Sequence, residues 1–150
     1  MNDYCNLKNR HRKEFNDFPI MFAFSNRQFD EGMKKLGLDP ADTDKVFSVP
    51  GGGFIRKTDS EALTSLLDRH GEEMQKAVDD DSTGLGFVYE MFRYELCNHE
   101  YLYTRDVSDT LDALDLTEDY IISHPKLSFG LNRAIQDLKK EEEEGENNGI

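Results

Sequence analysis

The chain has 150 residues, 37% hydrophobic and 33% charged, and 18 Lys/Arg stand against 31 Asp/Glu for a formal net charge of −13. That is the length of one ordinary domain, and 36 Leu, Ile, Val and Phe are enough to build a core without disulfides or metals. The longest apolar run, Ile20–Phe24, falls far short of the roughly 20 residues of a membrane helix, and an N-terminal stretch with charge but no apolar segment predicts a cytoplasmic protein.

From Asn2 to Asp17, Leu7, His11 and Phe15 recur at helical spacing and Phe18 follows, so the chain opens with an amphipathic helix. Ile20, Phe22 and Phe24 then alternate with Met21 and Ala23, which predicts a central strand over 19–24 buried on both faces. Ser25 and Gln28 form a capping box for a helix over about 26–36, with Phe29, Met33 and Leu36 on one side and Gly37 as its left-handed cap. Val46–Val49 and Phe54–Lys57 flank Pro50-Gly51-Gly52-Gly53, a β-hairpin. In this reading Phe22, Phe24, Phe47 and Phe54 are sheet core. Thr58 and Glu61 cap a long helix over about 59–79, in which His70 lies on the apolar stripe. Phe87–Cys97 is apolar on most sides and belongs in the middle of the core. Tyr101–Thr104 reads as a short edge strand, 106–114 as a helix with Val107, Leu111 and Leu114 inward, and 117–122 as a single helical turn. His124 and Pro125 start a last helix carrying Leu127, Leu131, Ala134, Ile135 and Leu138. No internal repeat stands out. The expected fold class is α+β, with five or six helices packed on a small three-stranded antiparallel sheet: one domain over 1–138 and an acidic disordered tail over 139–150.

Charge is unevenly spread. Residues 1–70 carry 11 Lys/Arg and 11 Asp/Glu, whereas residues 71–150 carry 7 and 20. Nucleic-acid affinity comes from cations neutralising phosphates, so direct nucleic-acid binding is not expected, and a protein with a basic surface is the better partner. Asp106, Asp109, Asp112 and Asp115 recur at steps of three and are joined by Glu118 and Asp119. They spread over the helix face opposite Val107, Leu111 and Leu114. Such a pattern describes a solvated face, or an array of anions that imitates a nucleic-acid backbone for a basic groove.

Two other constellations carry chemistry on paper. Asp79, Asp81, Thr83, Gly84 and Glu90 fall at positions 1, 3, 5, 6 and 12 of an EF-hand-like loop, a spacing of oxygen donors that suits Ca2+. Gly86 stands where such loops place an apolar residue, no second hand is present, and a polar turn between helices fits the same residues. Cys97, His99 and Glu100 invite a nucleophile or metal reading, yet the other histidines are scattered and Cys97 also fits a small core residue. Cys5 and Cys97, 92 positions apart, read as reduced thiols. Pro50–Lys57 lacks the spacing of a phosphate-binding loop.

Four segments resemble a family of small uncharacterised proteins from bacteria, their phages and other mobile elements: FDEGMKKLGL at Phe29–Leu38, GGFIRKTDS at Gly52–Ser60, ELCNHEY at Glu95–Tyr101 and DVSDTLDALDL at Asp106–Leu116. The resemblance implies one α+β domain and carries over no catalytic residue. Asp115 departs from the glycine expected there, which lengthens the acidic run. By analogy it implies a small inhibitor or accessory protein. The leading expectation is therefore a non-enzymatic interaction protein using Asp106, Asp109, Asp112, Asp115, Glu118 and Asp119. The alternatives are a calcium-binding domain built on Asp79, Asp81, Thr83 and Glu90, and an enzyme using Cys97 and His99.

Overall fold

A computed structural model describes residues 2–148. Among the described residues there are eight α-helices and one three-stranded antiparallel sheet, in the order α1 (Asp3–Asp17), β1 (Met21–Phe22), α2 (Asn26–Lys35), β2 (Val46–Val49), β3 (Gly53–Arg56), α3 (Ser60–Asp80), α4 (Phe87–Asn98), α5 (Tyr101–Thr104), α6 (Ser108–Ala113), α7 (Glu118–Ile122) and α8 (Pro125–Asn148). The fold is α+β, with eight described helices where five or six were expected. The helix expected over 106–114 is shortened to α6 and the expected strand over 101–104 is a turn of helix, because Glu100 takes a left-handed conformation at φ 57° and turns the chain before Tyr101. The described residues group into two compact units, Asn9–Glu73 and residues 2–8 with 74–148.

The Asn9–Glu73 unit holds the sheet, ordered β1-β3-β2, with Met21 opposite Phe54, Phe22 opposite Gly53 and Phe47 opposite Ile55. Helix α2 covers one face through Met33, Leu36 and Phe29 against Phe54, Met21 and Val46. It lies close because Gly32 has no side chain; a Cβ there would meet the Phe54 ring at 2.7 Å. Ser25 caps α2 as expected, accepting the Gln28 amide, and Gly37 closes it at φ 77°. Ile20, Ile55 and Leu63 with Phe15, Phe18 and Val49 fill part of the opposite face. The central strand expected over 19–24 is instead a two-residue edge strand, and three of the four expected core phenylalanines are exposed: Phe22, Phe24 (79%) and Phe47. Only Phe54 is buried. Helix α3 begins at Ser60 behind a 3-10 turn over Lys57–Asp59, where Arg56 pairs with Asp59 at 2.7 Å.

The other unit is helical. Val88, Met91, Phe92 and Leu96 of α4 pack against Leu127, Leu131, Ala134 and Leu138 of α8, with Tyr4, Tyr101, Leu111 and Ile121 closing the cluster. Two glycines let the chain come close: Gly84, at φ 86°, lies against the Lys126 carbonyl, and a Cβ on Gly130 would meet the Gly84 carbonyl oxygen at 2.6 Å. Helix α8 runs through the charge block expected to fray, as far as Asn148. Two arginines hold its far turns, Arg93 on Glu141 (2.5 Å) and Arg105 on Glu142 (2.7 Å). No described helix is long and apolar enough to cross a membrane.

Candidate functional site

Asp106, Asp109, Asp112, Asp115, Glu118 and Asp119 are brought onto one continuous stretch from the start of α6 to the first turn of α7, and all six are exposed. Thr110 and Leu111 are buried beneath them, and Val107, Leu114 and Leu116 are half-buried. No Lys or Arg occurs between Asp106 and Pro125, and none of the six carboxylates forms an ion pair among the described residues. Asp106 accepts from the Ser108 hydroxyl (2.6 Å) and amide (2.8 Å), which lowers its carboxyl below the usual range. Asp115 takes a left-handed conformation, φ 55°, with the Leu116 amide returning to the Leu111 carbonyl at 2.9 Å. That is the glycine-favouring cap of α6, occupied here by an aspartate. His124 stacks on Tyr120 at 3.8 Å between ring centroids, and Ile122 is 74% exposed.

In the EF-hand-like stretch, where Asp79 and Thr83 are exposed and Asp81 and Glu90 half-buried, the oxygens are taken up by donors of the chain itself. Asp81 accepts four backbone amides, from Thr83 (3.2 Å), Gly84 (3.0 Å), Gly86 (3.2 Å) and Val88 (2.9 Å). Burial opposes its ionisation, and those amides outweigh burial and lower its carboxyl. Asp79 accepts from the Gln75 side chain, the Thr83 hydroxyl from the Leu85 amide, and Glu90 from the Asp3 amide at 3.0 Å. Each candidate oxygen ligand thus serves a protein donor, and among the described residues no group of three or more His, Cys, Asp or Glu is placed to hold a metal ion.

Cys97, in the last turn of α4, is exposed and not a core residue, and His99 is the residue that caps the end of that helix. His99 faces Glu95, with Nε2 3.6 Å from a carboxylate oxygen and no hydrogen-bond partner among the described residues. Glu95, 1% exposed, was not singled out by its sequence. Its carboxylate meets Lys8 Nζ at 2.6 Å, and the Tyr4 hydroxyl hydrogen-bonds to it. Burial first, and then the Glu95 charge, push the Tyr4 phenol up. Lys8 lies 4.9 Å from the Tyr94 ring centroid, within cation–π range.

A second cluster forms wholly within the Asn9–Glu73 unit. Helices α1 and α3 carry the same five-residue pattern, Arg10-His11-x-x-Glu14 and Arg69-His70-x-x-Glu73. Three residues bring His and Glu to neighbouring positions on a helix face, and the two patterns meet reciprocally. His11 Nε2 reaches Glu73 at 3.2 Å and His70 Nε2 reaches Glu14 at 3.0 Å. Arg10 bonds Glu73 at 2.5 Å, Arg69 bonds Glu73 at 2.8 Å, and Arg69 also bonds Glu14. The two imidazoles stack at 3.8 Å, 12° from parallel. Ring nitrogens ligate in the plane of the ring, so parallel rings at this separation cannot share one metal ion. Both carboxyls are held down to about 2, Glu14 by Arg69 and then His70, Glu73 by His11 and then by Arg10 and Arg69 against burial. The repeated pattern was the available signal in the sequence, hidden because its copies are 59 positions apart and His70 read as part of an apolar stripe.

The chain belongs to a family of unknown function, DUF7659, which matches it over residues 3–137. No curated protein and no solved structure matches it.

Proposed function

We propose that this member of the family is a non-enzymatic interaction protein whose acidic stretch from Asp106 to Asp119 docks on the basic surface of a nucleic-acid-binding protein, in the manner of a small accessory or inhibitor. One observation carries the reading. Six exposed carboxylates stand without a cation over a stretch that has neither Lys nor Arg, whereas acids of α8 in the same unit, Asp137, Glu141 and Glu142, have arginine partners. Carboxylates placed only to solubilise gain from nearby cations; a run kept free of them presents a field to a partner.

Tyr120 and Ile122, exposed on α7, supply apolar contact beside the charges. The test compares capture of basic nucleic-acid-binding proteins by the wild type and by D109K/D112K/D119K, at about 0.1 M and about 1 M salt, where the screening length falls from about 10 Å to about 3 Å. Capture lost in the variant and at high salt is expected. Equal capture by the two chains would refute the assignment.

A further inference from the structure

The reciprocal cluster on α1 and α3 has a charge balance that depends on its imidazoles. With both rings neutral, each donates Nε2–H to a glutamate and the cluster sums to zero, Arg10 and Arg69 against Glu14 and Glu73. Among the described residues, the charged groups paired with the rings or with one another here are Arg10 and Glu14 from α1 and Arg69 and Glu73 from α3. Each carboxylate already lies within ion-pair distance of both guanidinium groups. A proton added to either ring therefore finds no free anion, and a second proton places two cations face to face at 3.8 Å. Histidine is the side chain that changes charge between pH 5 and 8.

We propose that His11 and His70 form a proton-operated clasp that holds α1 against α3 near neutral pH and loosens it on acidification. The device rests on two identical local patterns that meet across a helix pair, and it is independent of the acidic stretch on α6 and α7. Neutral rings stack and leave every formal charge of the cluster matched. Protonation keeps the hydrogen bonds to Glu73 and Glu14 but adds up to two uncompensated charges between the helices, so the cost falls on the packing of α1 on α3.

Amide hydrogen exchange on the full chain tests this. Protection of the α1 and α3 amides between Asn9 and Glu73 is expected to fall about tenfold from about pH 7.5 to about pH 5.5, after correction for intrinsic exchange. The H11F/H70F variant, which keeps a stacked pair without a titrating group, should show the same protection at both pH values. If that variant does not fold, H11Q/H70Q, which keeps a donor for each glutamate, takes its place. Wild-type protection that is flat with pH, or an unchanged fall in the folded variant, would overturn the proposal, because neither outcome leaves His11 and His70 a role in holding the helices.

Discussion

Lys8 Nζ lies 2.6 Å from Oε1 of Glu95, joining the first turns of α1 to the most buried carboxylate of the chain, whose other oxygen faces His99. The pair resists disruption from one side only. Removing Lys8 leaves a buried charge uncompensated, whereas replacing both partners with apolar groups removes the desolvation penalty as well. Lys8→Met is therefore expected to lower stability by about 3 kcal/mol, and K8M/E95L to recover most of that loss, both read by urea unfolding. A double variant as unstable as the single one would show that the pair does more than balance its own burial.

The clasp carboxylates respond to acid in a different range from its imidazoles. Glu14 and Glu73 are lowered from 4.5 to about 2 in the folded chain. A group depressed on folding contributes stability that is complete above its unfolded value and is lost as pH falls through its folded value. Melting temperature should accordingly drop between about pH 4.5 and about pH 2, and more steeply in the wild type than in E14Q/E73Q. Parallel curves for the two would assign acid lability to other carboxylates.

Asp81 ties the turn between α3 and α4 through four amides, a role that resembles a helix N-cap extended over a loop. Asp81→Ala should cost about 1–2 kcal/mol, the range of a lost cap, by chemical denaturation. Millimolar calcium should leave the wild-type melting temperature unchanged, because a cation at Asp81 must displace those donors. A calcium-dependent rise in melting temperature, absent in Asp81→Ala, would restore the loop as an ion site.

At Asp115 conformation and charge can be separated. Its φ of 55° is strained for a residue with a Cβ, so Asp115→Gly should stabilise the chain by about 0.5–1 kcal/mol. The same change removes one of the six exposed carboxylates, and partner capture should weaken while the melting temperature rises. Asp115→Asn keeps a side chain that tolerates the left-handed region; it should weaken capture with little change in stability.

Local signals were read well wherever the chain decides its own conformation. Ser25, Gln28 and Gly37 bound α2 as their chemistry requires, Gly51 and Gly52 turn the hairpin at positive φ, and Leu127, Leu131, Ala134 and Leu138 face inward on α8. The acidic stretch was equally legible, since exposed charge on a short helix needs no distant partner to be recognised. Readings failed where a distant neighbour decides burial. Phe22, Phe24 and Phe47 looked like core because alternation marks two faces but not how far a neighbouring helix extends over them. Tyr101–Thr104 looked like a strand because nothing local announces the left-handed turn at Glu100.

Composition, charge pattern and short-range spacing thus determined an α+β chain with an anionic second half, because helix periodicity, turn chemistry and net charge are properties of neighbours in sequence. Only the tertiary structure decided which polar groups meet. Glu95 finds Lys8 from 87 positions away and His11 finds Glu73 across 62, and pairing of that kind is set by how helices pack. A histidine on an apolar stripe and a histidine in a charge-matched clasp read the same in one dimension; what separates them is the carboxylate that the other helix brings.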